Sequence, residues 1–206
     1  MGQRKRSYLS RQKNKIKERR KLMWIAIAII AILVLYIIAV YNGLVARRVQ
    51  SREAWATIDT QLKRRYDLIP NLVNAVKGAA KHEKETLESV IAARNSAMSA
   101  TSVADKSAAE NQLTGALKSI FALAESYPTL RANENFLELQ QELTDTETKI
   151  QAARQFYNSV VMNLNTSIQQ FPSSVIANLF KFTTEKFFEL DEAEKEAVKN
   201  APKVEF

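Results

Sequence analysis

Two sets of polar residues in this 206-residue chain have types and spacing that could do work. The first gathers Arg64, Arg65, Asp67, Asn71, Asn74 and Lys77 around Pro70. The second is Glu147, Arg154 and Asn158, with Tyr157 beside them. Guanidinium and carboxylate groups form charge-assisted, directional hydrogen bonds. Glu147 and Arg154 stand two helical turns apart, so they share a face with Ile150 and Tyr157. Polar residues beside an apolar helix seam commonly set pairing and register. The favoured reading is therefore an interhelical ion-pair network, ahead of a polar face that recognises a partner protein.

Catalytic signals are poor. The single histidine, His82, lies in the charged run Lys81-His82-Glu83-Lys84-Glu85, which reads as a solvated helix face. His82 and Glu83 make no metal site, because adjacent helical residues point apart and a second histidine is missing. The chain has no cysteine, which excludes disulfides and thiolate metal ligands. Its serines lack a base partner in sequence, and it has no glycine-rich phosphate loop. Carboxylates are mixed with lysines, and nothing nominates a catalytic pair. The sequence thus leads to no enzyme, metal, cofactor or small-molecule substrate.

A third group is aromatic. Residues 171–188 hold Phe171, Phe180, Phe182, Phe187 and Phe188, five of nine phenylalanines. With Val175, Ile176 and Leu179 the stretch is too apolar for a free surface. Docking on a helical core is the favoured expectation, since an apolar stripe usually faces one. The alternative is self-association or membrane contact.

The elements that must position these residues begin with twenty consecutive uncharged, predominantly apolar residues, 22–41. As a helix they measure about 30 Å, the thickness of a bilayer's hydrocarbon core. The run is too long for a signal-peptide core, and no small-x-small cleavage pattern follows it, so a retained anchor is expected. Trp24 and Tyr41 sit at its two ends, where amphipathic rings suit the membrane interface. Ala39 and Gly43 give a weak small-xxx-small hint of helix pairing. The formal net charge is +8. Residues 1–21 alone carry ten Lys and Arg and one acid, a net of +9, so the remainder sums to −1. The basicity belongs to the tail, which argues against a nucleic-acid-binding domain. A basic tail before a span places the tail in the cytoplasm and the larger part outside, and it would also meet anionic lipid.

Beyond residue 43 there are only two glycines and four prolines, and apolar residues return every three or four positions. A first helix is predicted over 42–98, with Ile58, Leu62, Tyr66, Ile69, Val73, Val76, Ala80, Leu87 and Val90 as its seam and a kink or break at Pro70. A second helix, capped by Asp105, runs to 126 along Leu113, Leu117 and Ile120. A third starts after the N-cap Asn133 and reaches 169 along Phe136, Leu139, Leu143, Ile150, Ala153, Tyr157, Val160, Leu164 and Ile168, and a fourth covers 174–200. The fold class is all-α: one N-terminal transmembrane helix, then an elongated antiparallel three- to four-helix bundle. The divisions are a basic tail at 1–21, a span at 22–41, the helical bundle at 42–200 and an extended tail at 201–206.

Four blocks in order closely resemble the LemA family. They are YNGLV…EAWATIDTQLKRRYDLIPNLVNAVKGAAKHEKETLESVIAARN, YPTLRANENFLELQQELTDTETKIQAARQFYN, LNTSIQQFPSSVIANLFKF and FF…APKVEF. The similarity covers residues 40–206; the long basic tail falls outside it. The resemblance implies an α-helical bundle anchored in a bacterial membrane by one N-terminal span, with no established enzymatic activity and no cofactor. One LemA-like branch serves magnetosome membrane formation, and these residues do not single out that branch. The matched positions Pro70, Asn71, Lys77, Gly78, His82, Glu83, Arg154, Tyr157 and Asn158 are candidates for structure or interaction only. The leading expectation is a non-enzymatic membrane-tethered scaffold that binds partner proteins or itself. The alternative is a membrane-organising protein that acts by lateral oligomerisation.

Overall fold

The computed structural model describes residues 2–80 and 82–189. Among them all regular structure is helical: α1 (Gly2–Ala79), α2 (Lys84–Ser99), α3 (Val103–Glu125), α4 (Pro128–Arg131), α5 (Glu134–Gln169) and α6 (Ser173–Leu179). The chain divides into two compact units. One comprises Met1–Ala46 with Ser167–Phe182, the other Arg47–Thr166 with Thr183–Phe206.

α1 begins earlier than the sequence predicts. The basic tail is helical from Gly2 onward; after that glycine it is rich in Lys, Arg and Gln, which are good helix formers, and has no breaker. α1 is the one described helix long and apolar enough to cross a membrane. Its apolar run is exposed along nearly its whole length, Trp24 at 66% for example.

α1 also continues through Pro70, so the chain does not break there into two helices. Proline has no N–H, so the carbonyl four residues back, that of Tyr66, loses its helical donor. Arg94 of α2 supplies the replacement: its Nε donates to the Tyr66 carbonyl at 2.8 Å. α1 ends instead at Ala79, and Glu83 leaves helical geometry with ψ 41°. There the Glu83 carboxylate accepts a hydrogen bond from the Tyr127 hydroxyl at 3.0 Å, which ties the turn to the start of α4.

Local caps fix the other boundaries. Ser102, not Asp105, is the N-cap of α3. Its hydroxyl accepts from the Asp105 N–H at 3.1 Å and donates to the Asp105 carboxylate at 2.6 Å. Asp105 is therefore the acid three residues past the cap, the usual place of a capping-box acid. Asn133 caps α5 as expected, its Oδ1 accepting from the Phe136 N–H at 3.1 Å. Tyr127 is pushed out of helical geometry before Pro128, which opens α4.

In the second unit the predicted seams are buried. Ile58, Leu62, Tyr66, Ile69, Val73, Val76 and Ala80 join Leu87 and Val90, then Leu113, Leu117 and Ile120, then Phe136, Leu143, Ile150, Ala153, Tyr157 and Val160, in one apolar core.

The fourth helix is far shorter than expected. α6 stops at Leu179, and residues 182–189 have no helical structure. The stop is a Schellman motif: the Phe182 N–H donates to the Ala177 carbonyl at 2.9 Å and the Lys181 N–H to the Asn178 carbonyl at 3.2 Å. Lys181 holds the left-handed position with φ 56°, where glycine is usual. The predicted helix beyond 189 and the extended end at 201–206 lie outside the described residues.

The Pro70–Arg94 relation makes a coupled prediction. Arg94→Met orphans the Tyr66 carbonyl and should destabilise the fold by about 1–3 kcal/mol. In a Pro70→Ala background alanine's own N–H fills that bond, so the same change should cost much less. Urea unfolding of the four chains measures the coupling. An equal cost of Arg94→Met in both backgrounds would remove the carbonyl from the explanation.

Candidate functional site

The main polar site of the second unit is built on Arg65. It is 3% exposed although it carries a permanent charge. Its Nη1 lies 2.9 Å from a Glu147 carboxylate oxygen on α5 and 3.3 Å from one of Glu110 on α3. Its Nη2 donates to the Thr114 hydroxyl at 2.7 Å. The neighbouring Tyr66 hydroxyl donates to the other oxygen of Glu110. One guanidinium thus joins α1, α3 and α5. Burial pushes the Glu110 carboxyl above the ordinary carboxylate range, against the opposing pull of the Tyr66 hydrogen bond and the Arg65 charge. Burial also holds the Tyr66 hydroxyl well above the ordinary phenol value, and the bond to Glu110 adds to the effect.

Beside this cluster lies a cleft of about 310 Å³, lined by Arg65, Glu147, Thr114 and Lys118 over an apolar wall that includes Leu117 and Phe121. Two carboxylates converge on Arg65, the arrangement that a pair of catalytic acids also needs. Only Glu147 lines the cleft; Glu110 is buried behind it. Both are engaged by the same cation, which thereby bridges three helices.

A second constellation lies along α5. Asn158 donates from its amide nitrogen to the Phe188 carbonyl at 3.0 Å and accepts from the Phe188 N–H at 2.8 Å. Asn165 does the same to Glu185, at 2.9 Å in both directions. Between them Tyr157 donates its hydroxyl to the Lys186 carbonyl at 3.0 Å. Arg154 Nη2 and the Ser107 hydroxyl both donate to the Glu189 carbonyl, at 3.1 and 2.8 Å. Ser51 donates to the Glu185 carboxylate. Burial, then the charge of Glu185, pushes the Tyr157 hydroxyl up to about 12. The spacing explains the fit. Seven residues of helix rise about 10.5 Å, and three residues of extended chain cover about 10 Å. Asparagines two turns apart therefore meet every third residue of an extended segment running the other way. Each side chain does for this segment what a partner strand would do, none being present among the described residues.

Phe188 anchors the segment. It is fully buried, with Trp55 at 5.9 Å between ring centroids and the Arg154 guanidinium 4.9 Å from its centroid. Trp55 also packs 5.4 Å from Tyr157.

The remaining sequence candidates are dispersed. Arg64 is exposed and 3.9 Å from Glu142, a contact worth little in water. Pro70, Asn71 and Lys77 are on the exposed side of α1. Phe187 is exposed. Phe180 and Phe182 belong to the first unit, where their rings lie 4.7 and 5.9 Å from that of Tyr41. Glu147 and Arg154 do share a helix, but they serve different ends of the second unit's polar chemistry: Glu147 the Arg65 cluster, Arg154 the extended segment. Sequence reasoning missed Glu110, Ser107, Ser51 and Asn165. Glu110 had a signal, since 110, 113, 117 and 120 continue one helical stripe and it is the charged member.

With this geometry in view, the comparison with known proteins is direct. The model of the LemA family matches residues 54–206. The chain belongs to the LemA family. It is similar to Protein LemA of Metamycoplasma hominis, 25% identical over 181 residues, which cover 85% of this chain and 81% of that protein. Both constellations fall in the LemA-matched region apart from Ser51, whereas the apolar run at 22–41 precedes it.

Two predictions belong to the site. Glu110 binds its proton more tightly in the folded state than in the unfolded chain. Between the two values the folded state holds more protons, so stability falls as pH rises through that window. The melting temperature of the native chain, measured against Glu110→Gln, should therefore decline as pH rises above the ordinary carboxylate range. A pH-independent difference would exclude a raised Glu110. Along α5, Asn158→Asp keeps the acceptor, loses the donor and sets a charge beside the Phe188 carbonyl. Hydrogen exchange should show opening of residues 185–188 made easier by about 1–3 kcal/mol. Unchanged protection at Glu185 and Phe188 would mean that the amide pairs do not hold the segment.

Proposed function

We propose that this LemA-family protein is a non-enzymatic, membrane-tethered helical scaffold that binds partner proteins or copies of itself at a bacterial membrane. The observation that carries this reading is α1. One uninterrupted helix holds both the exposed apolar run at 22–41 and the core stripe from Ala54 to Val76. An apolar helix of that length is most stable in lipid, where its exposed side chains leave water. The tether and the main core helix are then one element.

The proposal takes α1, α3 and α5 as members of an antiparallel bundle, with the Arg65 cluster fixing their register. Buried ionic groups have register-setting as their best-attested role. The charges at Arg65, Glu110 and Glu147 are spent on each other, which supports a structural use of the site's polarity. The basic tail, which holds all but one of its charges positive, favours the cytoplasmic side for residues 1–21 and the opposite side for the larger part.

Crosslinking in intact bacteria tests the reading. A membrane-impermeant, lysine-reactive crosslinker should convert the full-length chain to higher-mass species, either multiples of itself or complexes with another protein. Products formed only with a permeant reagent would retain the scaffold and reverse its orientation. A chain that stays monomeric with both reagents would overturn the scaffold.

A further inference from the structure

The first unit carries an apolar surface that the tether alone does not explain. α6 is two-sided. Ile176 and Ala177 are buried, as is Phe182 just beyond the helix. Phe171, Val175 and Leu179 recur every four residues and are 79%, 60% and 70% exposed. Phe180 is 47% exposed. Leaving such a cluster in water is unfavourable in proportion to its apolar area.

The position of α6 within its unit identifies the occupant. The Phe180 ring lies 4.7 Å from Tyr41 and the Phe182 ring 5.9 Å from it. Tyr41 is the last residue of the apolar run. If that run spans a bilayer, Tyr41 stands at the interface, the depth that tyrosine rings favour. Phe180, in contact with it, is then at the same depth, and α6 meets the membrane surface. Charge agrees with this. Residues 167–182 contain no Asp or Glu and one cation, Lys181, although the whole chain has 22 acids. Nothing on α6 repels anionic headgroups, and Lys181 attracts them.

We propose that α6 and its flanks form a second, interfacial membrane contact, in which Phe171, Val175, Leu179 and Phe180 insert shallowly into the leaflet that meets Tyr41. The contact is parallel to the surface, of the kind that amphipathic segments make with their apolar side among the upper acyl chains. It rests on the proposed anchoring of α1 and adds to it. With two points of attachment on one leaflet, the first unit no longer turns freely about the axis of α1.

The cysteine-free sequence allows single labels without background. The full-length protein is reconstituted in vesicles of phosphatidylethanolamine and phosphatidylglycerol, with a nitroxide at Leu179→Cys, Val175→Cys, Val34→Cys or Lys149→Cys. Relaxation by oxygen, which enriches in lipid, is compared with relaxation by a water-soluble nickel chelate. Labels at 179 and 175 should show an oxygen-to-nickel ratio severalfold above that at 149 and below that at 34. A lipid-like ratio at 34 with a water-like ratio at 179 and 175 would overturn the second contact and leave the anchor intact. Labels at 179 and 175 shielded from both reagents and broadened by spins on neighbouring copies would also overturn it, in favour of self-association through α6. A water-like ratio at 34 would remove the anchor and the second contact together.

Discussion

A guanidinium cannot shed its charge, so burying one dictates what surrounds it. Arg65 of α1 is almost fully enclosed, and α3 and α5 each contribute to its neutralisation. Taking that charge from water costs several kcal/mol unless acceptors are in place. Glu147, Glu110 and Thr114 supply them on two other helices. Sliding any one helix by a residue would strand the cation. The apolar stripes alone tolerate small slips, because neighbouring Leu and Ile side chains are close to interchangeable. The ionic group removes that tolerance, and Tyr66 extends its reach by holding the far oxygen of Glu110.

The same economy of backbone groups governs two places where main-chain hydrogen bonding is interrupted. At Pro70 a missing N–H is replaced from another helix by Arg94. At residues 185–189 a segment with no neighbouring strand among the described residues has its carbonyls and amides met by asparagine, tyrosine, arginine and serine side chains. In both, side chains do the work that main-chain ladders do elsewhere. Helix α5 thereby serves the core with its apolar stripe and the extended segment with its polar flank.

Much of this was legible in the sequence, because the core positions repeat with the helical period and few breakers interrupt them. Ile58 to Val76, Leu113 to Ile120 and Phe136 to Val160 were read from spacing alone and are buried. What escaped was non-local. The remedy for Pro70 lies on α2, and no rule of local sequence predicts it. Ser102 and Asp105 are both good caps three residues apart, and their mutual bonding decides which is which. The stretch 182–189 has no glycine or proline to stop a helix, yet it is not helical, since its hydrogen-bond partners are side chains on a helix that precedes it. Glu110 hid because a lone glutamate on a helix is normally solvated; its place on the Leu113–Leu117 stripe was the available clue.

The asparagine clasps on α5 touch main-chain atoms only, and this determines which genetic changes the region accommodates. Substitutions at Thr183, Thr184 or Lys186 alter side chains that the clasps do not grip, whereas Phe188 fills a closed space. Length is another matter. One clasp is set seven helical residues from the other, and its target three extended residues away, so the two intervals are locked together. Loss or gain of a single codon between 185 and 188, or between 158 and 165, unfastens one end whichever amino acid is involved.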